Sequence, residues 1–199
     1  MEIHEILYLV VSYLLGSIPA GYIVVYLSEK KDIRQQGSGN TGATNVWRSK
    51  GKLAAIITLV FDVAKGMIPV IYGLNHFPMP LLVIGGGAAA IIGHMFPVYL
   101  KFKGGKGIAP LVGVLIILHL PTAALFLATF LAVIVLTRYV SAGSLAGITV
   151  AFFYTLFRAP AEFSLLLFII AILIVIKHRG NIDRLLAGNE RKFRWHKHD

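Results

Sequence analysis

Seven apolar segments, each followed by a short polar connection, occupy most of this 199-residue chain. Hydrophobic residues make up 57% of the sequence and charged residues only 14%, a composition that cannot give a small soluble globule a polar exterior. Because roughly 20 apolar residues cross a bilayer as a helix, the sequence predicts an all-α fold: a polytopic membrane helical bundle of about seven transmembrane helices in one domain, 1–199. We place the spans at about 3–27, 53–74, 81–98, 108–120, 121–137, 143–157 and 162–177.

The distribution of lysine and arginine predicts how these spans are oriented. With seven spans, the basic residues of the connections fall on one face, and Arg158 alone falls on the other. Because lysine and arginine mark the cytoplasmic side, we expect the amino terminus outside and the carboxyl terminus in the cytoplasm. The cytoplasmic face then carries the segments 28–52, 98–107, 138–144 and 177–199.

Two features of the apolar segments bear on the number of transmembrane spans. The fourth segment is short and Pro121 lies close to His119, so 108–137 alternatively forms one broken span. That six-span arrangement would divide the basic residues between two faces and is disfavoured. Acidic residues rather than a basic region precede the first segment, and no small-residue cleavage site follows it, so we expect it to remain as the first span.

Residue counts and missing motifs exclude several kinds of function. The chain has no cysteine, which excludes disulfides and thiolate catalysis. Gly37–Gly42 matches G-x-G-x-x-G without the strand–helix context of a dinucleotide site, and no P-loop motif is present. The net charge of +10, concentrated on one face, attracts anionic lipid headgroups and anionic metabolites, and we expect no nucleic-acid partner.

The first glycine-rich segment, GSGNTGATNVWR (37–48), combines backbone freedom with hydrogen-bonding side chains. Glycines allow close backbone approach, and Ser38, Asn40 and Asn45 offer hydrogen bonds. Arg48 can supply a bidentate fork to a phosphate. An alternative remains open, in which the segment is an interfacial turn whose asparagine and serine cap a helix.

The second segment, GHMFPVYLKFKGGKG (93–107), is more specific, because three lysines alternate with glycines directly before an apolar helix. Backbone amides of such a turn and a helix amino terminus form an anion nest, with Lys103 and Lys106 beside it. The alternative is a flexible loop whose lysines only stop translocation, which requires no glycine pattern. Pro97 is interpreted as a helix terminator, and the role of His94 is left open.

Later polar residues lie at the predicted cytoplasmic ends of spans. Arg138 and Ser144 follow the fifth span, and His178 and Asn181 follow the last one. Their shared face allows these residues to converge with the glycine-rich segments.

Two patterns inside the spans favour structural roles. Asp62 and Lys65, spaced i,i+3, predict a mutually neutralised intramembrane pair. The G-x-x-x-G spacing from Gly143 to Gly147 is typical of close helix packing.

Five motifs resemble, in order along nearly the whole chain, those of the bacterial membrane glycerol-3-phosphate acyltransferases that use acyl phosphate, the PlsY family. They are GSIPAGYIV (16–24), GSGNTGATNVWR (37–48), GHMFPVYLKFKGGKG (93–107), TRYVSAGSL (137–145) and KHRGNIDRLLAGNE (177–190). Several long motifs in one order are far more specific than any single glycine pattern. The departures, Trp47, Pro110 and the basic tail beyond Glu190, remove no candidate functional residue.

The resemblance implies transfer of a fatty acyl group from acyl phosphate to glycerol 3-phosphate, giving lysophosphatidic acid for phospholipid synthesis at the bacterial cytoplasmic (inner) membrane. By similarity, substrate phosphate is held by Ser38, Arg48, Lys106 and Ser144. His178 and Asn181 then position glycerol 3-phosphate and its attacking hydroxyl as the catalytic pair. Second-tier candidates are Asn40, Asn45, Lys103 and Arg138. Besides both substrates and membrane lipids, the implied partner is the soluble enzyme that makes acyl phosphate.

The chemistry of an acyl phosphate suits these residue types. It is an activated mixed anhydride, so the reaction demands no metal and no bound cofactor, and we expect neither. Alignment, proton removal and stabilisation of the developing negative charge suffice. His178 is a candidate general base, but a substrate phosphate can also take the proton. Ser38 as a nucleophile stays open, although no Ser-His-Asp arrangement accompanies it.

Two other functions compete with acyl transfer. A transporter or exchanger of phosphorylated metabolites would use the same loops and predicts internal repeats with discontinuous helices at the midplane. We find no convincing repeat, and the anion-binding candidates fall on one face. A purely structural lipid-binding protein would leave the serine, histidine and asparagine placement without a purpose, so we rank the acyltransferase first.

Overall fold

The computed structural model describes residues 1–193, which form helices and loops without any strand in that range. The helices are α1 (Ile3–Ser17), α2 (Ala20–Glu29), α3 (Ala43–Lys50), α4 (Lys52–His76), α5 (Pro80–Met95), α6 (Ile108–Leu118), α7 (Leu120–Thr137), α8 (Val140–Arg158), α9 (Ala161–Lys177) and α10 (Arg179–Leu186). Short 3₁₀ turns at Ile33–Gln35 and Val98–Leu100 lie in the two glycine-rich connections. The predicted all-α class is confirmed.

The described helices pack into two compact units, divided between Leu118 and His119. The first unit contains α1 to α6 and the second contains α7 to α10. The predicted cytoplasmic segment 177–199 lies outside the described residues from position 194 onward. The single domain expected for 1–199 stays a prediction.

Every predicted span coincides with apolar helix, but helix length decides how many can cross a bilayer. Within the described residues, five helices are long and apolar enough to cross, counting 3–29 as one, and the bent pair α9–α10 brings the number to six. The fourth predicted segment, 108–120, corresponds to α6, which has only 11 residues. At about 1.5 Å per residue it reaches roughly 16 Å, about half of the hydrocarbon core. The count of seven and the orientation of the termini therefore stay predictions.

The first span is broken where the sequence contains Pro19. Proline lacks a backbone N–H, so α1 ends at Ser17 and α2 begins at Ala20. The buried Lys65 of α4 donates a hydrogen bond of 3.0 Å to the carbonyl of Ile18 at this break. The same carbonyl also accepts the backbone N–H of Ala20 over 3.1 Å, so Ile18 has two hydrogen-bond partners at the break.

Close helix contact in the first unit fixes the end of α5. A side chain at Gly16 of α1 would overlap the backbone of Ala90, and one at Gly93 of α5 would overlap the carbonyl of Tyr13. The two backbones approach this closely because neither glycine carries a Cβ atom. His94, the residue after Gly93, is therefore held at a fixed position against α1.

In the second unit, α8 packs against α7 through the predicted G-x-x-x-G spacing. A Cβ atom on Gly143 would meet the carbonyl of Phe130, and one on Gly147 would meet the ring of Phe126. The predicted packing role of these glycines is confirmed. Ser164 of α9 donates a 2.9 Å hydrogen bond to the carbonyl of Thr155 in α8, which links the next pair of helices.

Candidate active site

A buried asparagine organises the segment that we call the glycine loop, residues 36–42. Asn45, on the first turn of α3, accepts a hydrogen bond on Oδ1 from the backbone N–H of Ser38, over 2.8 Å. Its amide nitrogen lies within hydrogen-bonding distance of three carbonyl oxygens, those of Ile33, Gln36 and Asn40. Asn45 is only 2% exposed, so the side chain is committed to shaping the loop.

The sequence of the glycine loop matches the backbone conformation that Asn45 imposes. Gly37 has a φ of +57°, and a Cβ atom there would overlap Oδ1 of Asn45. Asn40 accepts the N–H of Gly42 over 2.8 Å, an Asx turn that leads into α3. The predicted alternative, in which asparagine and serine side chains cap the helix, is not observed, because α3 begins after Gly42 without a side-chain cap hydrogen bond.

The two strongest phosphate candidates of this segment lie on its exposed side. Ser38 is exposed at the tip of the glycine loop, and Arg48 is exposed on α3 one turn after Asn45. The asparagine fixes the backbone N–H of Ser38, and the helix carries Arg48. A hydroxyl and a guanidinium presented in this way can bind an anion.

Arg34, whose role was not predicted from the sequence, connects the segment before the glycine loop to the second glycine-rich connection. Its Nη1 donates to the carbonyl of Leu100 over 3.4 Å, and its Nε and Nη2 donate to the carboxylate of Asp32. These hydrogen bonds from the Arg34 guanidinium lower the pKa of Asp32. The two glycine-rich connections are therefore neighbours in the first unit.

The second connection, the lysine loop at residues 101–107, folds back over the end of α5. Lys101 and Phe102 both have left-handed backbone conformations, with φ of 54° and 63°. The N–H of Gly105 then donates to the carbonyl of His94 over 2.9 Å. Gly107 has a φ of +84°, and α6 begins at the next residue.

The two lysine candidates of this loop differ in exposure. Lys103 is exposed, whereas Lys106 is half-buried between two buried glycines, Gly105 and Gly107. Lys106 also stands two residues before the amino terminus of α6, where backbone N–H groups favour anions. The predicted combination of lysine, glycine turn and helix start is observed, and its use for binding phosphate stays a prediction.

A buried network lies directly beneath the lysine loop. Oδ1 of Asp62 is 2.8 Å from Nζ of Lys65, so the predicted intramembrane pair is confirmed. The same oxygen is 3.5 Å from Nδ1 of His94. All three side chains are at most 6% exposed. The link to His94 could not be predicted from the sequence, because it depends on the packing of α4 against α5.

In the second unit, His178 occupies the junction between α9 and α10, which is bent by 60°. The residue is 2% exposed, and its Nδ1 lies 2.8 Å from the carbonyl oxygen of Ile174. A carbonyl can only accept, so Nδ1 donates and the neutral ring carries its lone pair on Nε2. This tautomer is the one that a general base acting through Nε2 requires.

Glu190 holds Asn181 and Ser141 in place, and this role was not anticipated from the sequence. Its Oε1 accepts from the amide of Asn181 over 2.6 Å and from the hydroxyl of Ser141 over 2.9 Å. Its Oε2 accepts from Nε of Arg184 over 2.7 Å. Burial alone would raise the pKa of Glu190, but these hydrogen bonds outweigh it and lower the pKa. The available signals were its place at the end of the motif KHRGNIDRLLAGNE (177–190) and its negative charge in a basic segment.

The other two candidates of the second unit lie at the α7–α8 connection. Ser144 is 3% exposed, and its hydroxyl donates to the carbonyl of Val140 over 2.9 Å. Arg138 ends α7 in a left-handed conformation with φ of 64°, and its side chain is exposed. The backbone N–H of Phe193 donates to the Arg138 carbonyl over 2.6 Å, so the start of the tail returns to this connection.

Two features of the described residues bear on ligand binding: the absence of a metal-binding cluster and the presence of an apolar groove. Among residues 1–193, no group of three or more histidine, aspartate or glutamate side chains is arranged to bind a metal ion. An apolar groove of about 450 Å³ lies between α1 and the final third of α4, lined by residues that include Tyr8, Pro69 and Tyr72. None of its lining residues belongs to the glycine loop or the lysine loop.

Comparison with known proteins assigns the family. A sequence model described as glycerol-3-phosphate acyltransferase matches residues 6–188. The chain is 43% identical over 194 residues to the glycerol-3-phosphate acyltransferase of Endomicrobium trichonymphae, covering 96% of both chains. It is 42% identical to the protein of that name from Francisella philomiragia subsp. philomiragia, covering 92% of this chain and 90% of the relative.

Two solved structures match 96% of this chain. They are crystal structures of PlsY (YgiH), an integral membrane glycerol 3-phosphate acyltransferase, in a glycerol 3-phosphate form and a lysophosphatidic acid form. Their TM-scores to this chain are 0.91 and 0.88, at 35% and 34% identity, and each match covers 96% of both chains. The predicted membrane bundle and the predicted acyltransferase are confirmed, and a transporter is not favoured. The chain belongs to the glycerol-3-phosphate acyltransferase family of integral membrane enzymes.

Proposed function

We propose that this acyltransferase takes its acyl group from acyl phosphate and transfers it directly to glycerol 3-phosphate. The hydroxyl oxygen of glycerol 3-phosphate forms the new ester bond with the acyl carbon. The bond between that carbon and the phosphate oxygen breaks, and the phosphate leaves with the electron pair. The products are lysophosphatidic acid and inorganic phosphate. Related structures in glycerol 3-phosphate and lysophosphatidic acid forms support this acceptor and this product.

The proposed phosphate-binding residues are Ser38, Arg48, Lys106 and Ser144. The single observation that carries this assignment is the lysine loop, where half-buried Lys106 stands between two buried glycines and just before the amino terminus of α6. At such a half-buried position, a lysine and backbone N–H groups can stabilise the charge that develops on a departing phosphate. Asn40, Lys103 and Arg138 remain secondary candidates for substrate contact.

The proposed roles of His178 and Asn181 follow from how they are held. The bond from Nδ1 of His178 to the Ile174 carbonyl leaves Nε2 as the nitrogen that can accept the hydroxyl proton of glycerol 3-phosphate. Asn181, fixed by Glu190, then orients the same substrate. If a substrate phosphate takes the proton instead, His178 retains only the orienting role.

The charge pattern supports the proposed setting. We place the enzyme in the bacterial cytoplasmic membrane as one functional domain, with both loops facing the cytoplasm, because lysine and arginine concentrate in those connections. A soluble enzyme that makes acyl phosphate then delivers the donor from the same side.

The proposal is tested with purified protein in lipid nanodiscs supplied with glycerol 3-phosphate and one of three palmitoyl donors: palmitoyl phosphate, palmitoyl-CoA or palmitoyl acyl carrier protein. Lysophosphatidic acid and phosphate are both measured. We expect equal amounts of both products from palmitoyl phosphate alone, with a loss in Lys106→Ala. The matched control is Lys101→Ala, an exposed lysine of the same loop. Product from the other donors but not from palmitoyl phosphate would refute the proposed donor.

A further inference from the structure

Beneath the lysine loop, the side chain of His94 occupies the space that a side chain on Gly105 would need. A Cβ atom built on Gly105 would overlap Nε2 of the His94 imidazole. The N–H of Gly105 donates to the His94 carbonyl over 2.9 Å, so backbone and ring of one histidine both meet the same glycine. The lysine loop therefore packs against His94 through Gly105, the residue immediately before Lys106.

The opposite edge of the imidazole faces a buried carboxylate. Nδ1 of His94 lies 3.5 Å from Oδ1 of Asp62, and both side chains are almost fully buried. Asp62 is itself fixed by Lys65 at 2.8 Å, and Lys65 donates to the Ile18 carbonyl at the break between α1 and α2. The orientation of the ring is thus set from α4 and from the α1–α2 break.

Gly104, the residue before Gly105, also lies too close to the end of α5 to carry a side chain. A Cβ atom on Gly104 would overlap the carbonyl of His94 and the ring of Pro97. On the other side of Lys106, the left-handed Gly107 would meet Met95 if it carried a side chain. Gly105 and Gly107, the residues that flank Lys106, therefore both pack against the end of α5. This packing leaves the backbone of Lys106 little conformational freedom.

We infer that His94 is a positioning residue for acyl transfer: held by Asp62, its imidazole supports Gly105 and thereby sets the position of Lys106 toward the substrate phosphate. This inference rests on the role proposed above for Lys106. It requires no proton transfer by His94. A displacement of about 1 Å at such a group costs about 100-fold in rate, so a support under the loop has a measurable effect.

The test is a double-mutant cycle on His94→Ala and Gly105→Ala, measured as kcat/KM for palmitoyl phosphate. Each single change is expected to lower kcat/KM by about 10-fold or more, because the first removes the support and the second collides with it. In the His94→Ala background the new methyl group has room, so Gly105→Ala is expected to cost less than about threefold further. Equal penalties for Gly105→Ala in both backgrounds would overturn the inference.

Two further variants separate positioning from general stability. His94→Gln keeps a polar group under Gly105 and is expected to stay within about threefold of the wild type. His119→Ala, which removes a half-buried histidine at the start of α7, is the matched control and is expected to leave kcat/KM unchanged. If His94→Ala cannot be purified folded, the cycle is repeated in His94→Asn, which keeps an amide toward Asp62 and removes only the ring atoms near Gly105.

Lys106→Ala in the same assay distinguishes the two proposals. Unchanged kcat/KM in Lys106→Ala would show that the role proposed for the lysine is wrong. A loss in Lys106→Ala together with a His94→Ala enzyme within threefold of wild type would refute the role of His94 alone.

Discussion

Asn45 and Ser38 are joined by a hydrogen bond of 2.8 Å, in which the backbone N–H of Ser38 donates to the buried Oδ1 of Asn45. The amide nitrogen of the same asparagine faces carbonyl groups of the glycine loop. Asn45, a candidate substrate-binding residue in the sequence, therefore uses its side chain to hold the loop that carries Ser38. The first prediction follows from this arrangement.

Asn45→Asp is expected to damage the enzyme although it changes no heavy-atom position. The substitution replaces an amide donor by a carboxylate oxygen facing three carbonyl oxygens. Leaving buried polar groups without partners costs about 1–3 kcal/mol each, so we expect a lower melting temperature and a loss of kcat/KM. Thermal unfolding and the palmitoyl phosphate assay measure both. Asn75→Asp, at an exposed position of α4, is the control, and equal behaviour of the two variants would contradict the account.

Stability at acidic pH is expected to depend on Glu190. Hydrogen bonds from Asn181, Arg184 and Ser141 lower its pKa in the folded protein. A lowered folded-state pKa adds stability above the ordinary glutamate value of about 4.3, and this stability is lost as the pH falls through the folded-state pKa. The melting temperature of the wild type should therefore exceed that of Glu190→Gln near pH 7, with a gap that narrows below about pH 4.3. A difference in melting temperature that widens on acidification would show that folding does not lower the pKa of Glu190.

The variant His178→Asn distinguishes the roles of the two histidine nitrogens, Nδ1 and Nε2. The asparagine amide can replace Nδ1 as donor to the Ile174 carbonyl, so we expect the α9–α10 junction to remain folded. It has no counterpart of Nε2, and loss of a general base lowers kcat by about 100- to 10,000-fold. Steady-state kcat and circular dichroism are the measurements. A folded variant that keeps more than a tenth of the wild-type kcat would rule out proton transfer through Nε2.

The buried pair Asp62–Lys65 is expected to show strong coupling. Removing one charge leaves the other buried and uncompensated, which costs about 3–5 kcal/mol. Asp62→Asn should therefore lower the melting temperature more than the double variant Asp62→Asn with Lys65→Met does. Differential scanning fluorimetry of the wild type, both single variants and the double variant tests this order. Additive losses in the double variant would show that the two side chains do not compensate each other.

The helices were predictable because the bilayer imposes one simple constraint on sequence. Apolar length located α4 and α9 to within a residue or two, since backbone groups in hydrocarbon must be satisfied within a helix. The break at Pro19 was missed because apolar length alone does not show whether a proline interrupts a span. The contact of Lys65 with the Ile18 carbonyl depends on tertiary packing. The short length of α6, 11 residues, was apparent from the sequence as a short fourth segment.

The candidate site was predictable in its residue types and less so in its supports. Ser38, Arg48 and Lys106 could be named because glycine, hydroxyl and basic residues alternate in two short segments. Glu190 and Arg34 could not, since each acts through contacts with residues distant in sequence or through the fold of the connection. His94 likewise acquires its partner only when α5 packs beside α4. Supporting residues depend on tertiary packing, whereas the proposed phosphate-binding residues lie in a local sequence pattern.

The most direct test of acyl transfer in one step uses enzyme in excess over palmitoyl phosphate, first without and then with glycerol 3-phosphate. The account predicts no phosphate and no acylated protein until glycerol 3-phosphate is added, and then phosphate and lysophosphatidic acid in equal amounts at one common rate. Release of phosphate before glycerol 3-phosphate is added, together with a palmitoyl group on Ser38 in the intact-protein and peptide mass spectra, would contradict direct transfer.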